Sequence, residues 1–172
     1  LVFNNLSQTD VAESCERLCK AISESQIVML PGGFSGGDEP DGSAKLITAF
    51  FRAPQVAEAV QDLLQNRDGL MLGICNGFQA LVKLGLVPFG EIRTATPESP
   101  TLTFNSIGRH QSRLVRTRVC SVKSPWMSAC KPGEVHLLAV SHGEGRFVAP
   151  SNVLAQMQQN GQIVSQYVDE QG

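Results

Sequence analysis

Apolar residues recur along the first half of the chain in two alternating rhythms, helical stripes and short continuous runs. Val11, Cys15, Leu18 and Ile22 fall on one helical face, behind Ser7-Gln8-Thr9-Asp10, which offers cap chemistry for a helix start. Ile27 to Leu30 is continuously apolar and stopped by Pro31-Gly32-Gly33, the signature of a short buried strand. After the polar, glycine-rich stretch from Ser35 to Ser43, Pro54 opens a second amphipathic helix with Val56, Val60, Leu63 and Leu64 at helical spacing. Gly69 to Ile74 is a second buried strand. It runs without a spacer into a helix carrying Phe78, Leu81, Val82 and Leu84, which Gly85 ends. Leu1-Val2-Phe3 reads as the tail of an earlier strand. Buried strands alternating with helices predict an α/β fold, a doubly wound, mostly parallel sheet with helices on both faces.

The second half changes character. From Arg113 to Val122 polar and apolar residues alternate, as in a half-exposed antiparallel strand. Val135 to Ser141 is another strand, leading into His142-Gly143-Glu144-Gly145-Arg146-Phe147. Ser151 to Asn160 reads as a short helix capped by Gly161, and Gln162 to Val168 as a last strand. These segments predict an antiparallel extension. No repeat, linker or low-complexity tract divides the chain, so residues 1–172 read as one domain. A doubly wound sheet builds outward from a central first strand, yet this chain opens on the end of one and stops two residues after Asp169-Glu170. The pattern predicts a fragment lacking that strand and a C-terminal segment.

Composition narrows the function classes. At 172 residues, with 42% apolar and 17% charged, the chain can bury one real core and is not disordered. A net charge of −2 implies no basic face for nucleic acid. No apolar run spans a bilayer and no signal sequence opens the chain, so a cytoplasmic, soluble protein is expected. Five cysteines, at 15, 19, 75, 120 and 130, form no CxxC and no His-Cys cluster at zinc spacing. A reducing compartment and no metal site are expected. Cys15 and Cys19 lie one turn apart and read as small buried hydrophobes, the default also for Cys120 and Cys130.

Cys75 is different. It stands at a strand-to-helix junction, Gly73-Ile74-Cys75-Asn76-Gly77-Phe78-Gln79, with glycines two before and two after. That is the physics of a nucleophile elbow: small neighbours let the backbone bend sharply and a substrate approach. The helix amino terminus beside the sulfur favours thiolate. The plain alternative is a buried cysteine in a tight turn. Backbone N–H groups of the Pro31-Gly32-Gly33 turn could join that of Asn76 in an oxyanion hole. A phosphate loop does not fit, since there is no GxGxxG and Lys45 stands outside any Gly-Lys-Ser/Thr run.

Three runs together, Leu30-Pro31-Gly32-Gly33-Phe34-Ser35, the Cys75 elbow and His142–Phe147, resemble the class I (triad) glutamine amidotransferase domain of phosphoribosylformylglycinamidine synthases. The stretch from Ser35 to Ser43 is similar to that of the large single-chain bacterial form, and 105–112 and 124–126 fit the same family. The resemblance covers nearly the whole chain. It implies a flavodoxin-like domain that releases ammonia from glutamine for a synthetase domain of the same enzyme. Cys75 would attack the carboxamide, and backbone at Gly33 and Asn76 would hold the oxyanion. Phe34, Ser35, Gln79, His142, Gly143 and Glu144 would line the glutamine site. No cofactor is implied for this domain; ATP and Mg2+ belong to the synthetase, which converts formylglycinamide ribonucleotide to the amidine.

The family's base, a histidine followed two residues later by glutamate near the domain's C-terminus, does not occur before Gly172. His142 and Glu144 have the same spacing. They read as the loop lining the glutamine site, ahead of a dyad for Cys75 or a plain surface loop, because an alternating strand would bring them in beside the wrong part of the turn. His110 reads as a loop or interdomain residue and His136 as structural. The isolated chain is therefore expected to turn over little glutamine. Two rivals stand: another cysteine hydrolase with an elbow on the same sheet architecture, and a non-catalytic glutaminase-like module.

Overall fold

A computed structural model of the chain describes residues 1–33 and 43–172. They form two compact units, Leu1–Pro97 and Glu98–Gly172.

The first unit runs α1 (Gln8–Glu24), β1 (Ile27–Leu30), α2 (Lys45–Phe51), α3 (Pro54–Gln65), β2 (Leu70–Gly73), α4 (Asn76–Leu84) and the short α5 (Leu86–Phe89). β1 and β2 pair in parallel, from Ile27 opposite Leu70 to Leu30 opposite Gly73, so both strands end level. Helices do most of the burying: Ile22, Phe51, Val56, Val60, Leu63 and Leu84 are the largest enclosed apolar side chains. α3 packs against both α1 and α2, and α4 against both strands. Ser7 caps α1, its hydroxyl accepting from the Asp10 N–H at 3.1 Å. At the far end of α1, Arg67 supplies what the last turn lacks. Its guanidinium donates to the carbonyls of Ile22, Ser23 and Ser25 at 2.8–3.0 Å and is itself held by Asp62 at 2.8 Å.

Three features depart from the sequence reading. Leu1–Phe3 forms no strand: Phe3 stacks on Phe50 at 4.6 Å, and the Asn4 backbone bonds the Ser14 side chain instead of a sheet. α2 had no clear signal, because it is short and starts at Ala44, a left-handed residue with no capping side chain. β1 is buried on one side only. Leu30 is enclosed, whereas Ile27 and Met29 are 53% and 56% exposed, since no described element of this unit covers that face.

The second unit holds β3 (Thr101–Thr103), β4 (Gln111–Val119), β5 (Val135–His142), β6 (Arg146–Val148), α6 (Ser151–Gln159) and β7 (Ser165–Val168). β4 is central, antiparallel to β5 on one side and β7 on the other, and β3 pairs antiparallel with β6. The alternation foreseen for β4 buries Thr117 and Val119. The strand stops before Cys120, because Cys120 and Ser121 both turn their N–H groups to the Val164 carbonyl, outside the ladder. The fold is mixed α/β, with a parallel pair in the first unit and an antiparallel extension in the second.

Candidate active site

Cys75 sits at the carboxyl end of β2, between the strand and α4, with φ +54° and ψ −112°. This is a conformation that L-residues avoid, and strain of this kind concentrates where function requires a side chain in an otherwise unfavourable place. The neighbouring glycines show why the turn can exist. A Cβ at Gly77 would lie 2.0 Å from the Leu30 carbonyl oxygen, and one at Gly73 would lie 2.7 Å from the Gly77 oxygen. The first turn of α4 thus rests directly on the backbone of β1. Gly77 N–H bonds the Ile74 carbonyl at 2.9 Å, and Gln79 N–H the Cys75 carbonyl at 3.0 Å, which seats the helix on the bend.

The level ends of β1 and β2 bring the Gly32-Gly33 turn alongside. Ile74 N–H bonds the Leu30 carbonyl at 3.0 Å, and a Cβ on Gly32 would lie 3.0 Å from Cys75 Cβ and 3.7 Å from its Sγ. Gly33, at φ +135°, has nothing among the described residues within 4 Å of its Cβ position. Asn76 is buried, Gln79 is half-buried one turn along α4, and Cys75 itself is exposed. The carboxyl ends of parallel strands are where open α/β sheets bind ligands. Phe34 and Ser35 lie outside the described residues. Cys15 and Cys19 contrast with Cys75: they sit in or against the core, and burial, reinforced by Cys15, pushes the Cys19 thiol up.

His142, Gly143 and Glu144 belong to the second unit, at the bend joining β5 to β6. Asn105 clasps this bend from both sides. Its Oδ1 meets His142 Nδ1 at 2.9 Å, its Nδ2 donates to the His142 carbonyl at 2.8 Å, and its N–H donates to the Gly143 carbonyl at 2.8 Å. Arg146 reaches Ser106 at 3.1 Å, and the imidazole of His142 lies over Gly145, where a Cβ would fall 2.3 Å from Nδ1. The other histidines are engaged in the same unit, His110 with Ser141 at 2.9 Å and His136 with Glu134 at 3.7 Å.

A family model, the CobB/CobQ-like glutamine amidotransferase domain, matches residues 1–172. The chain belongs to this family. Among curated relatives of this amidotransferase, phosphoribosylformylglycinamidine synthase subunit PurQ of Symbiobacterium thermophilum is 37% identical over 145 residues, covering 84% of the chain and 54% of the relative. The PurQ subunit of Aquifex aeolicus is 36% identical over 155 residues, covering 89% and 60%. The chain therefore spans little more than half the length of these relatives, and they are named as a subunit, in place of the large single-chain form that the stretch from Ser35 to Ser43 resembles. The structure of PurLQS from Thermotoga maritima matches 91% of the chain and 70% of its own with a TM-score of 0.62 at 24% identity, which shows a shared fold. Among the described residues no helix is long and apolar enough to cross a membrane.

Two groupings in the amidotransferase escaped the sequence reading. Asn105 carried no signal as the partner of His142, because the two are far apart in sequence and meet only through the β3–β6 pairing. Cys130, Glu134 and His136 match no metal-ligand spacing, yet their donor atoms all lie within 4.8 Å of one another.

Proposed function

We propose that the chain is the glutaminase part of a phosphoribosylformylglycinamidine synthase of the PurQ kind, supplying ammonia to a synthetase partner that uses ATP and Mg2+. The observation that carries this is the strained, exposed Cys75 set against Gly32 at the level ends of β1 and β2. In the reaction the Cys75 thiolate attacks the carboxamide carbon of glutamine. The N–H groups of Gly33 and Asn76 stabilise the oxyanion of the tetrahedral intermediate. The C–N bond breaks as the nitrogen takes up a proton and leaves as ammonia, and water then cleaves the glutamyl thioester to glutamate. The resemblance assigns the holding of the substrate to Phe34, Ser35, Gln79, His142, Gly143 and Glu144.

All three histidines lie in the second unit, and each is paired there. The resemblance assigns the base to a His-x-Glu pair, and we expect the 172 residues alone to release little ammonia. Labelling tests the nucleophile separately. A chloroketone analogue of glutamine, followed by peptide mass mapping, should modify Cys75 faster than Cys120, the other exposed thiol. Free glutamine should protect Cys75 alone. Equal labelling of the two thiols, without protection, would show a module that has no working nucleophile.

A further inference from the structure

Between β4 and β5 the chain folds back on itself in a way that glutamine chemistry does not use. Lys131-Pro132-Gly133-Glu134 closes as a turn, with the Glu134 N–H donating to the Lys131 carbonyl at 3.1 Å and Gly133 at φ +90°. Proline second and glycine third is the chemistry of a type II turn. The turn is pinned to the end of β4, Gly133 N–H bonding the Val119 carbonyl and Val119 N–H the Glu134 carbonyl, both at 2.8 Å. Cys130 N–H bonds the Met127 carbonyl at 2.9 Å, fixing the approach to the turn. His136 follows on β5 in register with Thr117. A seven-residue segment thus presents a thiol, a carboxylate and an imidazole to one point, with Cys130 and Glu134 half-buried.

From this geometry we propose that Cys130, Glu134 and His136 form a Zn2+ site, with water as the fourth ligand. The donor set selects the metal. Hard cations take oxygen cages, whereas one sulfur, one nitrogen and one carboxylate oxygen suit a borderline ion. Cys130 gives its thiol proton to the buffer as the Zn–S bond forms, His136 binds through a neutral ring nitrogen, and the thiolate and carboxylate together balance the two charges of the ion. Ligand atoms around tetrahedral zinc stand roughly 3.5 Å apart, given bonds of about 2.0–2.3 Å. Donors already within 4.8 Å need only small rotamer adjustments to close on the ion. The backbone is set beforehand. The Lys131 N–H, donating to Glu134 Oε2 at 2.9 Å, orients the carboxylate, and that oxygen lies 3.7 Å from His136 Nε2.

Cobalt reports directly on this arrangement. The reduced, chelator-treated chain titrated with Co2+ should develop a thiolate-to-cobalt charge-transfer band and the visible spectrum of a tetrahedral ion, both displaced by one equivalent of Zn2+. C130S should abolish the charge-transfer band, and C120S should keep it. H136Q and E134Q should keep some band but bind Zn2+ more weakly by at least the 10–100-fold that loss of an outer-shell partner costs. The wild-type chain offers a check that needs no variant, since Zn2+ should slow alkylation of Cys130 and leave Cys120 unchanged. Absence of the band in the wild type, its survival in C130S, or alkylation of Cys130 unaffected by Zn2+ would overturn the assignment.

Discussion

Removing the side chain of Cys75 should make the protein more stable if it is replaced by glycine, and not if it is replaced by alanine. At φ +54° and ψ −112° the Cβ of Cys75 is held in a region that costs about 1–3 kcal/mol. Alanine keeps that Cβ and its strain. Glycine removes both, at a cost of roughly 0.5–1 kcal/mol in unfolded-state freedom. Cys75 is exposed, so little burial is lost in either variant. C75G should therefore exceed C75A by about 0.5–2 kcal/mol. For a unit the size of Leu1–Pro97 each kcal/mol moves the melting midpoint by about 4–8 °C. Urea and thermal unfolding give the overall change. Amide exchange in β2 and α4 localises it to the first unit without assuming that both units melt together. Equal stabilities for C75G and C75A would mean that the turn is relaxed, removing the physical basis for reading it as an elbow.

The close approach of α4 to β1 makes a second prediction: G77A, whose Cβ would lie 2.0 Å from the Leu30 oxygen, should destabilise the first unit by about 1–3 kcal/mol in urea melts despite alanine's helix preference. R67A withdraws the guanidinium from the Ile22, Ser23 and Ser25 carbonyls and should cost about 1–3 kcal/mol, with amide exchange rising at the end of α1. Hydrogen bonds from Asn66 and then Arg67 hold the Asp62 carboxyl below its ordinary value. Its contribution is therefore complete above the unfolded carboxylate pKa of about 3.9 and is lost as pH falls through the lower folded value, so wild type and D62N should converge in acid melts. N105A removes both side-chain bonds to His142 at the β5–β6 bend and should raise amide exchange at 142–146 by at least tenfold, with a stability loss of about 1–2 kcal/mol in the second unit.

Much of this architecture is legible in the sequence because it rests on local rules. The Ser7 cap, the stripe of Cys15, Leu18 and Ile22, and the run from Val56 to Leu63 all concern residues a few positions apart, and each appears as expected. Gly73 and Gly77 flag the bend at Cys75 because only glycine fits where Gly77 meets Leu30 and Gly73 meets Gly77. What the sequence hides is contact between distant positions. Val11 shares the α1 stripe yet lies at its exposed margin, and the two faces of β1 look alike until neighbours cover only one. Arg67 looks like an ordinary surface charge, but its partners lie more than forty residues earlier. Cys130, Glu134 and His136 escape for a different reason: a type II turn between them converts an unfamiliar spacing into proximity.

The parallel pairing of Ile27–Leu30 with Leu70–Gly73 also carries a kinetic consequence. The two strands cannot meet through a tight hairpin; α2 and α3 must first fold up in the span between them. Closing so long a loop demands entropy before any ladder bond forms, which makes this contact a late one. Gly32 comes alongside Cys75 through that pairing. A nascent or refolding chain thus acquires its helices early and its reactive corner last. Pulse-labelled exchange would show this order as protection in α1 and α3 preceding protection at Ile74, whose amide is held by Leu30 across the join.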